Sequence, residues 1–519
     1  MLQQQTLKQK LMLHRLFLRT AISISLSTTL VSTSTTAAFT STSYQHQRSN
    51  QYQYSTSEQA LLRSRISSFH NNKNEDKNNN LKMSTMRLGS TTSSENIDTK
   101  NNKTNTEKTN YSNNSFTTKT KEQTIAKRVS SAPSSLKACG ERLRNGDLVS
   151  FPTETVYGLG CHALDPDAVH KVFAAKRRPL TDPLIVHVIS AADACQLWNN
   201  DSSNDEGKQL QKALMALMDQ FWPGPLTIIA QAHECVPPIV TAGTGFVAAR
   251  CPSHPIAREL IRTAGIPIAA PSANRFGHVS PTRANHVLSD LGAENVWVVD
   301  PDYFDLHEHE HDHEYSDSSS SRPTGICNTI CNVGVESTVA KVDEVEGTVS
   351  ILRHGAVSPV DIQNCLKSAE LANIFRVQIC IRTTGEEVAN VAPGQTIKHY
   401  SPDVPSFIIS QKRLQEDFVS LRNDEEKELV QKAVVLDFEG QLSWLQNDCL
   451  AYRDLSASGD SNEAAMRVFD SLRWSELIEG AERVYFPELV VEGESDALAL
   501  AVKDRLTRAA SGVVIDEFQ

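Results

Sequence analysis

Leu148-Val-Ser-Phe-Pro-Thr-Glu-Thr-Val-Tyr-Gly-Leu-Gly160 starts as a short apolar run and breaks into a polar loop, and the two segments downstream of it decide the fold class. Asp165 to Lys176 carries Val169, Val172 and Phe173 at helical spacing, with Asp165 and Pro166 at its start. Leu184-Ile-Val-His-Val188 then reads as a buried strand. Strand, helix, strand indicates an α/β layer. The loop puts two hydroxyls, a carboxylate and a phenol directly after a strand, where α/β proteins hold ligands, and its glycines permit close backbone approach. Local chemistry alone supports a polar ligand loop and a structural turn equally.

The same alternation extends outward. On the amino-terminal side, Ser134 to Leu143 has helical spacing and Asn145-Gly146 would stop it. On the other side, Leu226-Thr-Ile-Ile229, Phe246-Val-Ala-Ala-Arg250, Ile268-Ala-Ala270 and Val296 to Val299 read as strands, with Ile256 to Thr263 as a helix. These segments fit one α/β domain over residues 126–375, interrupted at 302–325 by an acidic, histidine-rich and serine-rich surface insertion. Val391-Ala-Pro-Gly-Gln-Thr-Ile-Lys-His-Tyr-Ser-Pro402 suits an extended connector, placed at 385–405. A smaller α/β domain is expected over 406–519, from the strands Phe407-Ile-Ile409, Ala433-Val-Val-Leu436 and Val484-Tyr-Phe486 and the helices Glu463 to Leu472 and Ala497 to Ala509. No internal repeat is evident.

Composition bounds the rest. The chain has 519 residues, too many for one ordinary core. Residues 1–125 are rich in Ser, Thr, Asn and Gln and read as a leader without a core of its own. Lys8, Lys10, Arg15, Arg19 and Arg48 precede the first acid, Glu58, and Leu11 to Val31 mixes apolar residues with Ser and Thr, which suggests a plastid or mitochondrial targeting sequence. His14, Arg15 and Arg19 break the apolar run, so no stable membrane association is expected. The net charge of −11 argues against a generally basic nucleic-acid coat but leaves room for a local cationic cleft. The ten cysteines are scattered and read as reduced thiols, and neither Cys327-Asn-Thr-Ile-Cys331 nor the histidine run has the spacing of a closed metal site.

Three further polar segments lie after strands or helices. Ala175-Lys-Arg-Arg-Pro-Leu-Thr-Asp-Pro-Leu-Ile-Val-His187 places three cations at a helix end, where they either offset the helix dipole or clamp phosphate. Ala269-Ala-Pro-Ser-Ala-Asn274 and Gly277-His-Val-Ser-Pro-Thr282 supply hydroxyls and an amide that could read a nucleotide or cap a helix begun by Pro281. Val335-Glu-Ser-Thr-Val339 and Arg353 add a polar strand and a cation.

Taken together and in order, these segments resemble the YrdC/Sua5 family of threonylcarbamoyl-AMP synthases. Phe221-Trp-Pro-Gly-Pro-Leu-Thr227, Gly334-Val-Glu-Ser-Thr-Val339 and Ile351-Leu-Arg-His-Gly355 belong to the same resemblance, which covers residues 130–519 and includes the connector of the longer Sua5 form. It implies a twisted mixed-sheet domain with a concave cationic cleft, and a smaller carboxy-terminal domain of Rossmann-like α/β type. It also implies a reaction of L-threonine, bicarbonate or CO2, and ATP with Mg2+, whose product reaches tRNA through a downstream threonylcarbamoyl transferase. By the same resemblance the threonine contacts fall on Thr155, His187, Arg250, Ala270 through its backbone, and Ser337. The ATP contacts fall on Lys176, Arg178, Asp182, Ser272, Asn274, Ser280, Arg353 and Tyr400, with Lys176 and Arg178 placed as the catalytic cations. The family is cytoplasmic, in contrast with the leader.

Asp182 stands where the family usually has Asn, and Phe246 where it usually has Thr four residues before the arginine. The Asp-Gly-Gly segment expected before Gly-Val-Glu-Ser-Thr-Val is replaced by Val299-Asp-Pro-Asp302 and the insertion. A non-catalytic double-stranded RNA-binding module of the same fold is the competing function, and retention of the whole polar set argues against it. Carbamoyl transfer in hydrogenase maturation is a further alternative; it calls for an acylphosphatase-like unit and paired Cys-x-x-Cys fingers, and neither is found.

Overall fold

The computed structural model describes residues 126–199, 203–303, 331–381, 385, 388–394, 400–415 and 420–518, all within the compact unit Phe116–Gln519. The leader 1–125, nearly all of the insertion 302–325 and Cys327 lie outside the described residues.

Eleven strands form the large sheet: β1 (Lys127–Val129), β2 (Leu148–Phe151), β3 (Gly158–His162), β4 (Ile185–His187), β5 (Leu226–Gln231), β6 (Phe246–Arg250), β7 (Ile268–Ala269), β8 (Val296–Val299), β9 (Thr338–Asp343), β10 (Thr348–Arg353) and β11 (Arg376–Ile379). Their order is β1-β8-β2-β3-β7-β4-β6-β5-β9-β10-β11, with parallel and antiparallel ladders mixed, so the expected twisted mixed sheet is present. Because β11 pairs with β10, the large sheet runs past the expected boundary at 375.

Local sequence explains the elements beside the site. The helix Pro166–Lys176 opens with Asp165 accepting from the Asp167 amide and Pro166 at its first position, where a missing N–H costs nothing. It ends at Arg177, whose left-handed φ of 53° turns the chain back toward β4. The helix Pro255–Ala264 buries Ile256, Ala257, Leu260, Ile261 and Ala264 on one face, against Leu136, Cys139 and Leu143 of the helix Pro133–Arg144. Burying each large side chain there contributes roughly 1.5–3 kcal/mol, and Leu260→Ala would cost about 2–5 kcal/mol. Pro281 does not start a helix: the helix spans Ala284–Leu291, and the Pro281 carbonyl instead accepts from the Tyr157 amide at 2.8 Å.

The carboxy-terminal sheet contains β12 (Ser406–Ile409), β13 (Ala433–Asp437), β14 (Ala451–Asp454), β15 (Arg483–Pro487) and β16 (Val514–Ile515) in the order β14-β13-β15-β12-β16. All its ladders are parallel, as in a doubly wound layer, but counted along the chain the order 3-2-4-1-5 departs from the 3-2-1-4-5-6 of a Rossmann fold. One of its two cores, built around Val468, Phe469, Leu472 and Val502, also takes in Val156, Val279, Val335 and Tyr400. The two domains therefore share apolar interior. Gly334 lies tightly against the other domain, since at φ 76° an added Cβ would lie 2.3 Å from the Ala465 carbonyl oxygen.

Candidate active site

Thr153 shapes the loop from within. Its hydroxyl accepts from the amides of Thr155 and Val156 at 3.2 Å, donates to the Val156 carbonyl at 2.6 Å and meets the Thr155 hydroxyl at 2.8 Å. Gly158 then bridges Ser272, which seats the loop against the Ala-Pro-Ser-Ala-Asn segment. The result is one wall of a partly open cleft of about 540 Å3.

The floor comes from strand ends. Parallel pairing of β4 with β6 sets His187 opposite Arg250, so both side chains project side by side from one face of the sheet. Arg250 donates to Thr155 Oγ1 at 2.9 Å and to the Gly224 carbonyl at 3.3 Å, and it pairs with Glu154 at 2.7 Å. Arg250 lines the cleft, and a guanidinium there can grip a carboxylate bidentately. Burial alone would push the Glu154 carboxyl up; the charge and hydrogen bond of Arg250 outweigh it and hold the carboxyl below its ordinary value. His187 is pushed down to about 3, first by burial and then by Arg250, and its Nδ1 has no hydrogen-bond partner among the described residues. The ring that lines the cleft is therefore neutral. The Ala270 amide donates to the Ile185 carbonyl at 2.9 Å, so a ligand contact through its backbone falls to its carbonyl. Ser337 is fixed by Thr227, hydroxyl to hydroxyl at 2.7 Å, and by Arg353 Nη2 at 3.0 Å.

The three consecutive cations separate. Arg177 is exposed at the helix end, which is the dipole-offsetting role, while Lys176 and Arg178 are buried. Arg178 lines the cleft, donates to the Asp182 and Pro183 carbonyls at 3.0 and 2.8 Å, and pairs with the Asp182 carboxylate at 2.9 Å. The extra acid at 182 is thus matched by its neighbour; burial raises its carboxyl while Arg178 opposes the shift. Lys176 holds the backbone of the Ala-Pro-Ser-Ala-Asn segment. Its Nζ donates to the Ser272 and Asn274 carbonyls at 2.6 and 2.5 Å behind the loop, which places the ammonium as a brace and not on the cleft wall. Burial, followed by repulsion from Arg178, holds that amine well below its ordinary value.

Nine of the candidate residues line the cleft: Thr155, His187, Arg250, Ala270, Ser337, Arg178, Ser272, Arg353 and Tyr400. Lys176, Asp182, Asn274 and Ser280 lie behind it. Asn274 donates to the Arg275 and His278 carbonyls at 2.7 and 2.8 Å, and Ser280 donates to Glu336 at 2.5 Å. Three arginines against one lining acid, Glu336, make the cleft cationic. Reading motifs alone missed Thr153, Tyr157 and Glu336 on the wall, and Thr227 beside Ser337, although all four lie inside the quoted segments. Tyr400 reaches the cleft from the connector at a left-handed φ of 62°, its ring 5.3 Å from that of Phe469. Burial, more than any neighbouring charge, raises its phenol to about 12.

Comparison with known proteins bears on this constellation. A family model described as "Telomere recombination", for the Sua5, YciO and YrdC group, matches residues 141–312, and one described as "Threonylcarbamoyl-AMP synthase, C-terminal domain" matches 357–511. A Bacillus subtilis protein named threonylcarbamoyl-AMP synthase is 34% identical over 386 residues, covering 72% of this chain and 92% of its own. The chain belongs to the YrdC/Sua5 family. A Schizosaccharomyces pombe member of the same name is 31% identical over 74% of this chain and 91% of its own. The crystal structure of Pyrococcus abyssi Sua5 complexed with L-threonine superposes with a TM-score of 0.56 at 28% identity, covering 76% of this chain and 99% of that one. Strands β9 and β10 of the large sheet fall between the two matches, and β11 falls within the second.

Proposed function

We propose that this chain is an L-threonylcarbamoyladenylate synthase, a nucleotidyltransferase acting on L-threonine, bicarbonate or CO2, and ATP. The observation that carries the reading is convergence: the five residues assigned to threonine and four of those assigned to ATP meet in one cleft of a YrdC/Sua5 member. The threonine amine forms an N–C bond with CO2 and loses a proton, giving a carbamate. A carbamate oxygen then attacks the α-phosphorus of ATP, the bond to the β-phosphate oxygen breaks, and pyrophosphate leaves.

Each residue has a physical task in this scheme. Arg250 grips the threonine carboxylate, Ser337 and the Ala270 carbonyl fix the rest of the amino acid, and Arg178 and Arg353 neutralise phosphate charge. Burial, and then Arg250, hold the His187 imidazole well toward its neutral form, so the ring is assigned a hydrogen-bonding role and not that of the base. The proton goes to bicarbonate or solvent, and the neutral ring accepts or donates a hydrogen bond. Catalysis rests on positioning and charge. Mg2+ enters as MgATP: Glu154, Asp182 and Glu336 are each paired with an arginine, so phosphate and water oxygens suit the ion better than these side chains. The adenylate would supply a tRNA threonylcarbamoyl transferase, making contact with tRNA indirect.

Pyrophosphate release by the purified chain should require threonine, bicarbonate and ATP together. Tight binding of double-stranded RNA without that turnover would sink the synthase reading and favour the RNA-binding one. Import into plastids or mitochondria is proposed on the leader alone, and imaging a fluorescent fusion of residues 1–90 tests it.

A further inference from the structure

The carboxy-terminal helix Ala497–Ala509 buries Ala501, Val502, Leu506 and Ala509 in the core of its domain, and the same face carries Arg505, whose side chain has no exposed surface. A charge on the apolar face of a helix has to be matched, and one of its two carboxylate partners lies in the other domain. Arg505 Nε donates to Glu336 Oε2 at 3.0 Å, and Glu336 Oε1 accepts from the Ser280 hydroxyl at 2.5 Å. Glu336 lines the cleft and is its only lining carboxylate among the described residues. The same guanidinium sits 5.3 Å from the centre of the Tyr400 ring, another cleft residue, and Nη1 donates to Asp504 at 2.9 Å.

We propose that Arg505 is a positioning residue for the cleft: it neutralises Glu336 and turns that carboxylate away from the bound nucleotide, holding Ser280 and Tyr400 in place through the same guanidinium. The proposal rests on the synthase reading. Glu336 is the one carboxylate among described lining residues that include Arg178, Arg250 and Arg353, so left unmatched it would oppose triphosphate through a medium of low dielectric constant. An apolar residue at 505 would suit the helix face better on packing grounds alone, and an arginine there is explained by what it reaches. The carboxy-terminal domain then contributes to the cleft through a defined atom, beyond covering it.

The test compares wild type, Arg505→Met, Glu336→Gln and the double variant, with MgATP affinity measured by calorimetry and turnover by pyrophosphate release. Arg505→Met is expected to weaken MgATP binding at least about tenfold, with the KM for threonine changed much less. In the double variant the unmatched charge is gone, and MgATP affinity should return to within about threefold of Glu336→Gln alone. A bolt that merely joins the domains gives the opposite pattern, because removing Glu336 as well would restore nothing. Wild-type affinity in Arg505→Met, or no recovery in the double variant, overturns the proposal. If Arg505→Met does not fold, Arg505→Lys, which keeps the cation, takes its place in the comparison: MgATP affinity within about threefold of wild type supports charge matching, and a loss of tenfold or more refutes it. Failure of the synthase reading shows separately, as a wild-type chain that binds MgATP without threonine-dependent turnover.

Discussion

Glu154→Gln isolates the ion pair beneath the threonine site. Both side chains of the Glu154–Arg250 pair are 4% exposed and the contact is 2.7 Å. Removing one partner of such a pair leaves a buried charge and costs about 3–5 kcal/mol. The Gln carbonyl still accepts from Arg250, recovering about 1 kcal/mol, so the expected loss at pH 7 is about 2–4 kcal/mol. Acid should narrow the gap. The folded carboxyl lies below its ordinary value of 4.5, so its contribution is present above that value and is lost as pH falls through the folded pKa. Denaturant unfolding followed by tryptophan fluorescence at pH 7 and pH 3.5 measures both effects. Saturating L-threonine supplies a replacement carboxylate and should stabilise Glu154→Gln more than wild type. Equal stability of the two proteins at pH 7 would refute the argument that Glu154 balances Arg250.

Thr227→Val keeps shape but removes the hydroxyl 2.7 Å from Ser337, and the KM for threonine should rise about 3- to 30-fold in initial-rate kinetics with the KM for ATP little changed. Gly334→Ala puts a methyl group 2.3 Å from the Ala465 carbonyl at a left-handed φ, so the domains should separate at a cost above about 2 kcal/mol, seen as a split calorimetric transition. His278 has the opposite sign from Glu154: burial disfavours its cation, but Asp290 and Glu476 raise it to about 9 from 6.5. Its contribution is full below pH 6.5 and lost as pH rises through about 9, so the stability gap between wild type and His278→Gln should close above that pH.

Element placement was legible wherever local pattern and tertiary need agreed. Phe246–Arg250, Val296–Val299 and Ala497–Ala509 stand where periodicity put them, because each meets its core with uninterrupted spacing. Gly158–His162 is different. Gly-Leu-Gly-Cys-His has little strand propensity, and it is a strand because β2 and β7 flank it on both sides. The helix Asp205–Phe221 has no counterpart among the expected elements, although Leu210, Ala213, Leu214, Leu217 and Met218 lie at helical spacing and signal it. In the site, motif order located the walls but not which cations face the cleft. Lys176 and Arg178 differ only by the turn at Arg177, whose backbone conformation no composition specifies. Glu336 could not be read as matched, because its partners lie 56 and 169 residues away along the chain.

The core shared between the two domains bears on how the protein is born. Thr153 and Tyr400 are separated by 400 − 153 = 247 residues, so at roughly 5–20 residues per second a ribosome needs about 12–50 s between the first lining residue of the cleft and the last. Until the residues from Tyr400 onward are made, Val156, Val279 and Val335 lack the side chains that cover them. A nascent chain therefore carries a sticky, half-built pocket, and its yield in a cell should depend on chaperones that shield that patch until the second domain arrives.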